Sequence, residues 1–209
     1  MEEKKKKLDE ICKKVAVCRK CDLYKNATKS VPGEGDPDSQ LMFIGEGPGF
    51  NEDQQGRPFV GQAGKLLEKL LASIGIERKS VFIANIVKHR PPENRDPLPE
   101  EIEACCEYLD EQIETIDPRI IVTLGRFSLN KFLPGEFISK THGKARFVDF
   151  GSKRRIVIPM YHPAAALRSQ MLMSQLAEDF KKILELMVGK KVQPGDETDK
   201  QENQLSLIN

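Results

Sequence analysis

The chain has 209 residues, 39% of them hydrophobic and 31% charged, and 33 lysines and arginines against 32 aspartates and glutamates leave a formal charge of +1. That length supports one domain with a full core, and the even charge balance excludes polyanion binding through bulk charge, so any nucleic-acid site must be local. No apolar run approaches the roughly 20 residues of a membrane span and MEEKKKK lacks the apolar segment of a secretory signal, so a cytoplasmic protein with no membrane attachment is expected.

Residues 2–17 carry Leu8, Ile11, Cys12 and Val15 as one apolar stripe on a lysine-rich helix, with Cys12 read as a small core residue. In a reducing compartment the five cysteines read as metal ligands or free thiols rather than disulfides. The helix runs into Cys18-Arg19-Lys20-Cys21, a pair of thiols that can hold one metal centre if two more ligands come from elsewhere. After a polar loop from Asn26 to Asp38, the apolar run Leu41 to Ile44 ends at Gly45, as a buried parallel strand does at the carboxyl edge of its sheet. Ligands of open α/β sheets sit outside that edge, which puts Glu46 at a binding position. Gly45, Gly47 and Gly49 leave room around it, and Pro48 stiffens the turn. The lysine and hydroxyl of a phosphate-binding loop are missing, and the glycine spacing is not that of a dinucleotide site. Beyond Glu52 and Asp53, Phe59 stands between a proline and a glycine in Arg57-Pro58-Phe59-Val60-Gly61.

Leu66, Leu67, Leu70, Leu71 and Ile74 form the next helix face, ended by Gly75. Val81 to Val87 read as a second strand that delivers Asn85 and Lys88 to the same edge as Glu46. On its own, the Asn85 amide reads as a chain-end cap. The proline-rich stretch from His89 to Pro97 cannot be helical, and Pro99 opens a long helix carrying Ile102, Cys105, Cys106, Leu109, Ile113 and Ile116. Arg119 to Gly125 and Ile156 to Pro159 are the third and fourth strands, and Gln170 to Val188 is the closing helix. The alternation predicts a three-layer α/β/α domain over residues 1–189 around a central four-stranded parallel sheet, followed by a polar, disordered tail at 190–209.

GEGPG followed by ED, then GRPFVG and AG, then NIVK, RPP, NRDP and PEE, and finally YHPAA, resemble in order and spacing the thermostable, iron–sulfur uracil-DNA glycosylases known as family 4. The similarity runs from about Cys18 to Leu186. It implies a uracil-DNA glycosylase-like fold and a DNA-repair enzyme that flips uracil out of DNA, single- or double-stranded, and hydrolyses its N-glycosidic bond. Such a site needs a stacking face, an amide and a hydrogen-bond donor. By the family's pattern Phe59 stacks on uracil, Asn85 pairs with its O4 and N3 side, and His162 donates to O2 as charge builds on the departing base. Glu46 then positions the attacking water or stabilises the sugar cation, and Gly45 and Gly47 complete the uracil pocket. Without the resemblance, His162 reads as a buried structural histidine. Arg90 and Arg95 of the proline-rich loop, with Arg168 and Ser169 beyond YHPAA, are the expected phosphate contacts.

The same resemblance implies a four-iron, four-sulfur (4Fe-4S) cluster on Cys18, Cys21, His89 and Cys105, with histidine where the family has a third cysteine. Imidazole can replace thiolate on iron. Completion by Cys106 or Cys12 instead, or loss of the cluster, stays open. Relatives that trap uracil-DNA covalently resemble this chain in having histidine there, but they carry an inserted basic loop ending in a reactive histidine that this chain lacks. Lys153-Arg154-Arg155-Ile156 is similar to that loop only in letters, since it precedes the fourth strand with no histidine next to it. Two rivals to excision therefore stand: a covalent uracil-DNA binder, and a non-catalytic iron–sulfur nucleic-acid-binding module of the kind fused to polymerases. A monomer is expected, and the tail QENQLSLIN is similar to the glutamine-led peptides that dock to sliding clamps, without their terminal aromatic pair.

Overall fold

In the computed structural model, which describes residues 2–188, six strands form one sheet in the order β1-β3-β2-β4-β6-β5. The strands are β1 (Glu34–Gly35), β2 (Leu41–Gly45), β3 (Phe82–Asn85), β4 (Ile120–Leu124), β5 (Arg146–Phe150) and β6 (Lys153–Met160). The helices are α1 (Glu2–Ala16), α2 (Phe50–Gln55), α3 (Gln62–Ser73), α4 (Pro99–Ile116), α5 (Arg126–Phe132), α6 (Ile138–Thr141), α7 (Pro163–Ala166) and α8 (Gln170–Met187). The tail at 190–209, with its clamp-like peptide, lies outside the described residues. No helix among the described residues is long and apolar enough to cross a membrane.

The expectation of a four-stranded parallel sheet is corrected to a mixed, six-stranded one. The inner strands β3, β2, β4 and β6 are mutually parallel, while β1 pairs antiparallel with β3 and β5 pairs antiparallel with β6. The two added strands sit at the edges. β1 is two residues long and has no period to recognise. β5 joins β6 through Gly151 and Ser152, where Gly151 takes φ +61, the left-handed conformation that a two-residue hairpin requires. Lys153 to Ile156 consequently lie inside β6 rather than before it, and buried Arg155 is tied there to Asp117 at 2.8 Å.

Strands buried on both faces explain the unbroken apolar runs. Successive side chains alternate across the sheet, so Leu41 and Phe43 of β2 meet Leu67 and Leu71 of α3 and Leu176, Phe180 and Ile183 of α8. Met42 and Ile44 meet the other layer, built from Leu8, Ile11 and Val15 of α1, Leu109 and Ile113 of α4 and Leu129 of α5. Phe43 and Phe180 stack with ring centroids 5.8 Å apart, both fully buried. That contact seats the strand that ends at the candidate site. Phe180→Ala is expected to cost about 3–5 kcal/mol, read from denaturant unfolding. A loss below about 1 kcal/mol would show that α8 does not hold β2 in place.

Candidate active site

The carboxyl ends of β2, β3 and β6 open into one cleft of about 540 Å³. Glu46, Gly47, Phe59, Asn85, Arg95, His162 and Arg168 all line it. Gly45 lies directly beneath. It pairs in register with Asn85, and a Cβ there would collide with Asn85 Oδ1 and stand 2.7 Å from the Phe59 ring. The ladder continues past β3, with Ile86 and Val87 N–H donating to the Gly45 and Glu46 carbonyls at 3.1 Å each. Asn85 is 1% exposed, and its side-chain oxygen has no hydrogen-bond partner among the described residues. A buried acceptor left unpaired is costly, so its presence at a cleft wall marks a place for a donor from a ligand. A larger hollow of about 850 Å³ lies beside β1, but its Glu34 is already bound to Arg57 and Arg78, and it contains none of the candidate residues.

Phe59 is held in a backbone conformation that a non-glycine residue seldom takes, with φ +50. Three anchors hold it. Glu52 accepts from the Val60 and Gly61 N–H groups at 2.8 Å each, and Arg78 donates to the Pro58 and Phe59 carbonyls at 2.6 and 3.0 Å. Gly64 packs so tightly beneath that a Cβ would overlap the Phe59 carbonyl. The ring then lies 5.6 Å from the His162 ring, tilted by 30°. The roles of Glu52 and Arg78 are not assigned by the sequence reading. Glu52 stands out there only as part of a dense loop, and Arg78 acts on carbonyls 19 and 20 residues away, which no local pattern reveals.

His162 caps α7 through its ring, since Nδ1 accepts from the Ala164 N–H at 3.1 Å. Burial lowers its pKa to about 4, against an opposing pull from the Glu52 carboxylate. A neutral ring whose Nδ1 accepts must carry its proton on Nε2, so the side chain presents a donor. Glu46 is half-buried, and its carboxylate makes no hydrogen bond or ion pair among the described residues. Burial raises its pKa, Asp96 adds to the rise and Arg126 opposes it. Asp96 and Arg126 are themselves paired at the rim.

Arg168 is exposed on the cleft wall, with no side-chain hydrogen bond or ion pair among the described residues. Arg95 grips buried Glu101 with two bonds of 2.6 and 2.8 Å, which braces the proline-rich loop on the start of α4. Arg90 donates to Asn94 Oδ1 at 2.7 Å and lies 5.2 Å over the exposed Phe50 ring. Ser169 caps α8, accepting from the Leu172 N–H at 3.4 Å. Arg90 and Ser169 thus sit outside the cleft lining.

Behind β3 a second group of residues gathers. Cys18, Cys21 and Cys105 pack in one apolar layer, and Cys18 and His89 line one cavity of about 270 Å³. The Lys88 N–H donates to Cys105 Sγ at 3.3 Å, and burial pushes that thiol up to about 11, with the Lys88 charge opposing. Burial likewise raises Cys21 and lowers His89. Among the described residues no three histidine, cysteine or carboxylate groups are close enough to share a single metal ion. Cys18 belongs both to the layer with Cys21 and Cys105 and to the cavity with His89, and sulfur and imidazole are the donor types of a multi-iron centre, whose ligands each bind a different iron. Cys106 follows Cys105 on α4 and points about 100° away around the helix, and Cys12 on α1 is half-buried.

Residues 32–187, which contain all six strands, match the Uracil DNA glycosylase superfamily. The type-4 uracil-DNA glycosylase of Sulfurisphaera tokodaii is 51% identical over 188 residues, covering 87% of this chain and 85% of that protein. That of Archaeoglobus fulgidus is 50% identical over 189 residues, covering 88% of this chain and 94% of that protein. A DNA polymerase of Bacillus phage SP01 is 32% identical over 163 residues, which is 78% of this chain and 17% of the polymerase. The chain belongs to the type-4 uracil-DNA glycosylases and is a hydrolase of that family.

The His162 environment has a pH signature. Its pKa falls from 6.5 to about 4 on folding, so between those values the unfolded chain binds a proton that the folded protein does not. Stability should therefore drop as pH is lowered from about 6.5 toward 4, and His162→Gln should flatten that part of the profile. Denaturant titrations of both proteins at several pH values measure the difference, and parallel profiles would contradict a ring buried in its neutral form.

Proposed function

We propose that the protein removes uracil from DNA by extruding the nucleotide into the cleft and hydrolysing its N-glycosidic bond, leaving an abasic site. The observation that carries this reading is the unpartnered Asn85 oxygen beside a neutral imidazole donor. Uracil offers N3–H to that oxygen and O4 to the amide nitrogen, whereas cytosine brings a bare N3 and an amino group and leaves like facing like. Phe59 supplies the stacking face. His162 Nε2–H donates to O2 as negative charge develops on the leaving base, a contribution of about 3 kcal/mol for a well-aimed donor. Glu46, with no partner for its carboxylate, aligns water or stabilises the positive sugar. Arg168, Arg90, Arg95 and Ser169 contact backbone phosphates and set the DNA across the cleft. An excision assay that detects free uracil, run beside a denaturing gel, separates this reading from a covalent binder, which gives an adduct without free base, and from a binding module, which gives neither.

Asn85→Asp is expected to slow uracil excision and to relax the bar against cytosine, because a carboxyl group presents a different donor and acceptor pattern to the base edge. Unchanged kinetics on uracil would remove Asn85 from the site. Phe59→Ala should weaken binding of a single-stranded uracil oligonucleotide by about 1–3 kcal/mol, the worth of one aromatic–base stack.

Cys18, Cys21, His89 and Cys105 are proposed to hold a 4Fe-4S cluster that ties the segment after α1 to α4 and the proline-rich loop. When bound, such a group crosslinks the fold rather than taking part in hydrolysis. Purified protein should be brown. His89→Cys should keep the colour and shift the spectrum, and His89→Ala should lose iron and melt at a lower temperature. Iron retained in His89→Ala but lost in Cys106→Ala or Cys12→Ala would reassign the fourth ligand, and a colourless, iron-free wild type prepared anaerobically would end the proposal.

A further inference from the structure

Lys88 is one of the largest fully buried side chains, with 0% exposure. Its ammonium donates to the Asn85 main-chain carbonyl at 2.9 Å and to Gln112 Oε1 at 2.7 Å, and it makes no ion pair with a carboxylate among the described residues. Gln112, 1% exposed, in turn donates to the Pro32 carbonyl at 2.7 Å. The Lys88 main chain is held as well, its carbonyl by the Val31 N–H at 2.7 Å and its N–H by Cys105 Sγ at 3.3 Å. The residue therefore joins the loop before β1, the end of β3 and α4.

A buried cation whose two hydrogen-bond partners are both neutral oxygens is a costly way to fill space, even with the Asp110 charge acting from farther off, and an apolar side chain of similar volume would serve packing better. What the ammonium alone supplies is direction. β1 is only two residues long and pairs with Phe82 and Ile83, so its ladder stops short of Asn85. Lys88 supplies the donor that this short edge strand does not. The hydrogen bond fixes the main chain of the residue whose amide lines the cleft, in a spot where Gly45 and the Phe59 ring leave that amide no slack.

We infer that Lys88 is a positioning residue for base recognition, holding the Asn85 amide at the angle uracil requires. The inference rests on the excision reading proposed above. Its test uses the full chain and three measurements: melting temperature, the inhibition constant of free uracil, and affinity for an oligonucleotide carrying a tetrahydrofuran abasic site, which has no base to read. Lys88→Met should raise the uracil inhibition constant by roughly 10-fold or more, the usual worth of one charged hydrogen bond. Affinity for the abasic oligonucleotide should stay within about twofold, because its phosphate contacts are untouched.

Lys88→Met also strands the Gln112 oxygen, so it should lower the melting temperature. The double variant Lys88→Met/Gln112→Met removes that stranded oxygen, though it also loses the Gln112 bond to the Pro32 carbonyl, and should recover part of the lost stability while uracil affinity stays weak. Recovery of uracil affinity together with stability would show that Lys88 only holds the fold, as would failure of both variants to fold. Unchanged uracil inhibition in folded Lys88→Met would also overturn the inference. A wild type that neither excises nor is inhibited by uracil would overturn the excision reading itself, and with it the role assigned to Lys88.

Discussion

The cleft depends on one register, the pairing of Gly45 on β2 with Asn85 on β3. Because the strands are parallel, both chains leave the sheet at the same edge, and their polar residues emerge side by side rather than at opposite ends. Only glycine fits at position 45, since any side chain there would meet the Asn85 amide and the Phe59 ring. A slip of one residue would turn Asn85 to the other face of the sheet and leave the ring over an apolar wall. The two apolar layers therefore do more than stabilise the domain. By packing Leu41 to Ile44 and Phe82 to Ala84 against close-fitting side chains on both faces, they oppose that slip.

Groups with poor local energetics collect around this register. Phe59 has a left-handed backbone, Asn85 has an unpaired oxygen, Lys88 is a buried cation and Glu46 is a half-buried carboxylate with a raised pKa. Phe59 and Lys88 are fixed by neighbours rather than by their own preference. Glu52, Arg78 and Gly64 hold the Phe59 turn, while Gln112 and the Asn85 carbonyl hold the lysine. Desolvation sets the direction of both shifts at the cleft, raising Glu46 and lowering His162, and the same desolvation lets a partial charge there be felt strongly.

The inner strands and the long helices were legible because burial on two faces or on one stripe writes itself into apolar runs and helical spacing. Leu41 to Ile44 and the stripe from Ile102 to Ile116 are examples. The edge strands were not, for β1 is too short to show a period and β5 is half-exposed, with only the Gly151-Ser152 turn to mark the β5–β6 hairpin. At the site, Glu46, Phe59, Asn85 and His162 could be picked out by motif and strand-end position. Arg78, Glu52 and Lys88 could not be assigned roles, since each acts on backbone groups or on residues brought near only by the tertiary fold. Arg95 shows the reverse difficulty, because its bidentate grip on Glu101 is invisible in a proline-rich stretch that reads simply as basic.

The most direct measurement of the central claim is a crystal structure of the protein soaked with free uracil. The account predicts the base in the cleft, its ring against Phe59, N3–H on Asn85 Oδ1 and O2 facing His162 Nε2, with Glu46 on the side where the sugar would lie. Uracil bound beside β1, or in the cleft with its N3 edge turned away from Asn85, would contradict it.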